Sequence, residues 1–233
     1  MKLNLIFLLI FSLLTVSCEK QNNSKSIIVK GVIRDQISNR PVADIKIFIS
    51  AIKSPSGMGI IAGGRRESIT QVVTDNNGRF YANLEVFDEA ESLEFKINEF
   101  SISMPSPNNY DSKSSAYKIS DMNLTSPNSI DFYILPLTNL RIEFKNTLSQ
   151  NDSDFFQCII PRRILSIENC GIVKPTEALN WEGANVCGVY NCETYADTMT
   201  RIVWRYRENG IFYDKRDSIF TKRNVNNIIK LEY

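Results

Sequence analysis

Period-two alternation of apolar and polar residues constrains this chain more than any other feature. Between residues 27 and 84 it recurs in three separate runs, broken each time by turn residues. Ile27, Val29, Gly31 and Ile33 share one face of the first run, with Lys30, Val32 and Arg34 opposite. Ile45, Ile47 and Ile49 face away from Asp44, Lys46 and Ser50 in the second. Phe80, Ala82 and Leu84 continue the apolar face in the third, after Asp75-Asn76-Asn77-Gly78. Such alternation means half-buried strands, and Asn and Gly accept the positive φ of a tight hairpin. Asp35 to Pro41 is polar and ends in proline, so it is a connection.

The remainder repeats the pattern. Leu93, Phe95 and Ile97 predict a strand over 92–98, and Ile130, Phe132 and Ile134 another over 129–135, closed by Pro136. Phe100 to Ser129 is rich in Ser, Pro and Asn and reads as a long connection, mobile or functional, with a short edge strand near Tyr117 and Ile119. Leu140, Ile142 and Phe144 alternate again from Asn139, which places a boundary near Thr138. Asp154–Pro161 is apolar, and Ile202, Trp204 and Tyr206 oppose Arg201, Val203, Arg205 and Arg207. Asn209-Gly210 is a hairpin turn leading to Ile211–Tyr213 and Ser218–Lys222, and Asn227–Tyr233 ends the chain. No three-turn amphipathic helix is legible. The expectation is an all-β protein of two β-sandwich domains, residues 26–138 and 139–233, the second immunoglobulin-like in architecture.

Within the first domain, Val29, Gly31, Ile33, Asp35, Pro41, Val42, Ile45, Ile47, Thr74, Asp75, Gly78 and Phe80 form a pattern. It resembles the carboxypeptidase regulatory-like family, a transthyretin-like β-sandwich. The resemblance covers about a quarter of the chain, and its motifs are structural. It implies a seven-stranded sandwich that accompanies other domains and rarely carries catalysis itself.

The family pattern is interrupted by an insertion, Lys53 to Ser68. It combines glycines with Met58, Ile60 and Ile61 and the pair Arg65-Arg66. The phosphate-loop pattern Gly-x-x-x-x-Gly-Lys-Ser/Thr is missing. The remaining readings are an adaptable recognition loop and a hairpin extension whose apolar residues fold back on the sheet.

At the N-terminus, Lys2 precedes the apolar run Leu5–Leu14, a pattern read as a signal peptide over residues 1–17. Leu14-Thr15-Val16-Ser17-Cys18 resembles the lipobox of bacterial, Bacteroidetes-type lipoproteins. That resemblance implies cleavage before Cys18 and acylation of its thiol, with residues 18–25 as lipidated cysteine and tether. A multiply acylated cysteine gives stable anchoring to a membrane. The expected location is the cell envelope, lipid-anchored at the outer membrane on its periplasmic or surface face.

The chain holds 27 Lys and Arg against 26 Asp and Glu. Loss of Lys2 with the leader makes the mature chain neutral, and no basic stripe is present, so nucleic acid is an unsuitable partner. Histidine is absent from the sequence. That removes Ser–His–Asp and Cys–His nucleophile systems and the common zinc-hydrolase sites. A two-carboxylate glycosidase is formally open, but no pair stands out. Asp88, Glu89 and Glu91 read as a solvated turn, and Asn151-Asp152-Ser153-Asp154 lacks the later Gly and Glu of a calcium loop. No cofactor or metal is expected.

Cys158, Cys170, Cys187 and Cys192 all lie in the second half. An even number in an exported chain predicts two disulfides, with three pairings possible. Residues 164–185 show little period, so Cys170 is expected to pair with Cys187 or Cys192, leaving Cys158 the remaining partner. The functional expectation is a non-enzymatic, lipid-anchored binding or accessory module, with an envelope protein or glycan as partner. The alternatives are a carbohydrate-active or peptidoglycan-associated enzyme using carboxylates, or a structural subunit of an outer-membrane complex.

Overall fold

A computed structural model of the chain describes residues 24–54, 64–100, 106–147, 153–160, 162–171, 173, 175, 176 and 180–233. The protein is all-β, built as two β-sandwiches. Cys18, Met58, Ile60 and Ile61 lie outside the described residues.

In the first sandwich, β1 (Ser24–Asp35) is the centre of one sheet. It pairs antiparallel with β4 (Arg79–Phe87) and, on its other side, parallel with the short strands β7 (Asn128–Ser129) and β8 (Phe132–Ile134). The facing sheet has the order β3-β2-β5-β6, with β2 at Lys46–Lys53, β3 at Arg65–Val73, β5 at Ser92–Ile97 and β6 at Lys113–Lys118. The alternating apolar residues meet between them: Ile27, Val29, Ile33, Ile47, Ile49, Leu84 and Phe95 form one buried core.

The motif residues of this domain have local physical jobs. Thr74 Oγ1 accepts from the Ile45 N–H and donates to the Val42 carbonyl. Asp75 Oδ1 accepts from the N–H groups of Asn77 and Arg79, and Gly78 takes φ +68° to close the turn. Gly31 is required by close approach, because a Cβ there would sit 1.8 Å from the Ile130 carbonyl oxygen. Asp131 Oδ1 accepts from the Val32 N–H between the two parallel pairings.

The second sandwich packs the sheet β12-β10-β14-β15 on the sheet β11-β13-β9-β16. The strands are β9 (Leu137–Lys145), β10 (Phe155–Ile159), β11 (Arg163–Asn169), β12 (Trp181–Glu182), β13 (Cys187–Tyr195), β14 (Thr198–Glu208), β15 (Ile211–Thr221) and β16 (Asn227–Glu232). Its core is aromatic. Phe144 stacks on Phe156 at 4.3 Å between centroids, and Trp181 Nε1 donates to the Tyr190 hydroxyl at 2.6 Å.

Three expectations change. The weak period of residues 164–185 hides β11, whose register against β13 shifts between Ile164 and Ser166; that bulge breaks the alternation. Ile211–Tyr213 and Ser218–Lys222 are not two strands, since residues 211–221 form the single strand β15. The 100–129 connection holds β6 and a 3-10 turn at Ile119–Asp121, so Ile119 lies in a turn instead of an edge strand.

Cys170 and Cys187 form a disulfide with Cα atoms 5.4 Å apart. The expected second bridge is not formed: Cys158 and Cys192 are buried thiols. They lie on β10 and β13, in opposite sheets of one core, where ordinary apolar packing accommodates them. Burial pushes both thiols up to about 12, and at Cys158 the neighbouring Cys192 adds to the effect.

Candidate functional site

A dense polar cluster lies where the two sandwiches meet. The first sandwich contributes Asp35, at the end of β1, and residues 106–111 of the long connection. The second contributes Arg162 and Arg163 before and at the start of β11, Glu193 and Tyr195 of β13, Asp197, and Arg223 after β15. Asp35 is 1% exposed. Its Oδ1 accepts from the N–H groups of Ile37 and Ser38, both at 2.8 Å, which closes the local turn after β1. Its Oδ2 accepts from the Tyr110 hydroxyl at 3.1 Å and from Arg223, 188 residues away in sequence. Arg223 also reaches Asp197.

A second clamp is centred on Arg162, which bridges Asp111 of the first sandwich and Glu193 of the second. Arg163 joins Glu193 from the other side. The Ser106 N–H donates to Glu193 Oε1 at 3.1 Å, and the Tyr195 hydroxyl donates to Asp111 Oδ2 at 3.0 Å. Backbone bonds run alongside: Leu137 N–H to the Asn109 carbonyl at 2.7 Å and Ala196 N–H to the Pro136 carbonyl at 2.8 Å.

Electrostatics follow the geometry. Burial pushes the Asp35 carboxyl up, but the Arg223 hydrogen bond, the Ser38 and Ile37 N–H groups and the Arg223 charge outweigh it, leaving it below the ordinary value. The Arg223 guanidinium is held firmly charged, chiefly by its bond to Asp35. Burial and then the Asp35 charge push the Tyr110 phenol up. Every acid here is matched by a guanidinium or a donor. Acid–base catalysis needs two groups whose environments push their proton affinities apart within reach of a substrate. This cluster is built to clamp.

Beside it opens a polar cavity of about 350 Å³, lined by Asn109, Thr138, Asn139, Glu193, Asn224 and Asn226. Glu193 is its acidic lining residue, and two arginines already neutralise it.

Sequence-selected residues fall elsewhere. Arg65 and Arg66 belong to β3, not to a free loop. Arg65 pairs with Glu67 and lies 4.3 Å over the Phe87 ring, while Arg66 pairs with Glu94. Exposed pairs of this kind contribute little stability. Asp88 and Glu89 sit on the exposed turn after β4, paired with Lys25 at 3.3 Å and Lys53 at 2.9 Å. Asp154 points inward and accepts from Asn146 Nδ2 at 2.7 Å. No group of three or more metal-ligating side chains occurs among the described residues.

The Arg-bearing face of β14 meets β15 at the outer edge of the second sandwich. Arg205 forms a two-bond fork with Asp214, at 2.7 and 2.9 Å. Arg207 lies 5.3 Å over Phe212. Most of β15 is exposed on both faces, with Ile211 at 57%, Phe212 at 51% and Phe220 at 48%. The sequence marks this hairpin at Asn209-Gly210 but not the length or exposure of its second strand, and it misses the junction. The Asp35 motif was the one visible hint of the junction, since pairing with Arg223 depends on a long-range fold. The hairpin's exposure depends on which sheet edge β15 occupies.

No family model and no curated protein matches the chain. Distant likenesses occur among solved structures. The shaft pilin SpaA from Lactobacillus rhamnosus GG is 10% identical with a TM-score of 0.33, covering 90% of this chain and 98% of that one. A streptococcal ancillary pilin is 12% identical with a TM-score of 0.35, covering 89% of this chain and 62% of that one. The major pilin SpaD from Corynebacterium diphtheriae is 8% identical with a TM-score of 0.35, covering 84% and 64%. Similarity this low carries no argument about function.

Proposed function

We propose that this chain is a lipid-anchored, non-enzymatic module of the cell envelope. It holds two β-sandwiches as one body and presents the β14–β15 hairpin to a partner. The observation that carries this reading is the junction. Arg223 and Arg162 each bridge carboxylates of both sandwiches, and Asp35 is buried in the process. A clamp between domains serves a protein that must transmit position, such as an accessory or structural subunit. The anchor is assigned to Cys18, whose preceding residues resemble a lipobox.

Two measurements test it. Cys18→Ala is expected to release the chain from the membrane fraction or leave the precursor uncleaved; normal processing and membrane retention would remove the anchor. The wild-type chain is expected to form cross-linked species in intact envelopes that Phe212→Ser with Phe220→Ser abolishes while circular dichroism stays unchanged. Turnover of a glycan or peptide library by purified protein would overturn the non-enzymatic reading.

A further inference from the structure

β15 is the last strand of its sheet, and no strand flanks its outer side among the described residues. Natural sheets blunt such edges with bulges, prolines, short strands or charged side chains, inward-pointing ones included. β15 carries charges, Lys215 and Asp217 on its inner face among them, but none of the other devices. It is 11 residues long, contains no proline, and pairs with β14 without a register shift from Thr198↔Thr221 to Glu208↔Ile211. Its central charges are Asp214-Lys215-Arg216-Asp217, two of each sign. Its ends are apolar: Ile211-Phe212-Tyr213 and Ile219-Phe220.

We infer that a second copy of this chain pairs with this edge, β15 to β15, antiparallel, about a two-fold axis through Arg216. This deepens the reading of the hairpin as the contact surface and rests on it. The register follows from the sequence of the strand. With Arg216 on the axis, all of β15 is paired, and Lys215 of each copy lies opposite Asp217 of the other. Phe212 lies opposite Phe220 twice, and Tyr213 opposite Ile219 twice. Directly opposed residues are the units that stabilise a sheet, and opposite charges and aromatic pairs are favourable there.

The faces also agree. Tyr213, Lys215 and Asp217 register with Tyr206, Trp204 and Ile202 of β14, whose side chains are buried in the core, so they share the inner face. Phe212, Asp214, Arg216, Ser218 and Phe220 share the outer face, as alternation requires. The two Arg216 side chains oppose each other at the axis, a like-charge contact that the register carries once against its two Lys215–Asp217 pairs. Asp214 of the other copy, which also holds its own Arg205, is the diagonal neighbour of each. Main-chain bonds between the free edges would join the two four-stranded sheets into one. An isologous contact of this kind closes on itself, so it gives a dimer and not a fibre.

The experiment uses the full chain, detergent-solubilised, with one cysteine added at a time. Mild oxidation of Arg216→Cys is expected to trap a disulfide dimer at least tenfold above wild type and above Tyr81→Cys, an exposed control on β4. Lys215→Glu and Asp217→Lys should each abolish sedimentation as a dimer when alone. Mixed together they should restore it, because both charge pairs re-form in the heterodimer. Trapping no better than the controls, or stronger trapping of Lys215→Cys than of Arg216→Cys, would overturn the proposal. If the Phe212/Phe220 variant loses envelope cross-links while the wild-type chain stays monomeric, the hairpin is a contact surface for another protein, and the second copy as occupant is refuted.

Discussion

Replacing Arg223 by Ala tests the junction in a way that can be worked through from the geometry. Asp35 is 1% exposed and keeps its two backbone N–H donors and the Tyr110 hydroxyl after the change. It loses its counter-charge, and Asp197 loses its ion pair but keeps the backbone N–H of residue 223. Removing one member of a buried pair costs about 3–5 kcal/mol. The three remaining donors put this case at the low end, about 3 kcal/mol. For a chain of this length that corresponds to a fall in Tm of roughly 6–12 °C. The pH dependence supplies a second readout. The folded carboxyl of Asp35 lies below its ordinary value, so its contribution is present at neutral pH and is lost as pH falls through that depressed value. The gap between wild type and Arg223→Ala should therefore be full at pH 7 and close progressively below about pH 4. Differential scanning calorimetry across that range measures both. A loss below about 0.5 kcal/mol at pH 7, the worth of an exposed pair, would refute the clamp.

Three further outcomes follow from the packing. Cys170→Ser opens a loop closed at a sequence separation of 17 and should cost about 3 kcal/mol, with new protease sensitivity between residues 170 and 187. Cys158 and Cys192, buried and pushed up to about 12, should resist a thiol reagent in the native protein at pH 8 and react after denaturation without reductant; two thiols titrated only after unfolding is the expected result. Gly31→Ala places a Cβ 1.8 Å from backbone oxygen and should cost at least about 3 kcal/mol in chemical denaturation, the top of the overpacking range.

Strands with a clean period of two were legible from residues alone. β1, β2, β4, β5, β9 and β14 bury the same alternate side chains that the sequence marks, because each lies on a core with one wet face. Pairing partners were not legible. β1 pairs parallel with β7 and β8, and β9 pairs parallel with β16, and neither contact leaves a local signature. β11 escaped because its bulge breaks the period, and β15 was split in two because Asp214-Lys215-Arg216-Asp217 looks like a turn when its exposed edge position is unknown. The junction escaped for the same reason. Arg223 and Asp35 are ordinary charges until the fold brings them together. The long connection read as mobile or functional turned out to supply Ser106, Tyr110 and Asp111 to that junction.

The central claim is that the two sandwiches act as one rigid body. Spin labels at Tyr81→Cys on β4 and Ile228→Cys on β16, both exposed, read it directly in a Cys18→Ala background, where the thiols of Cys158 and Cys192 stay buried. With labelled chain diluted in excess unlabelled chain, so that only distances within one chain are read, the account predicts a single narrow distance distribution by pulsed dipolar spectroscopy, broadened when Arg162 and Arg223 are both changed to Ala. A broad distribution before either arginine is touched would contradict it.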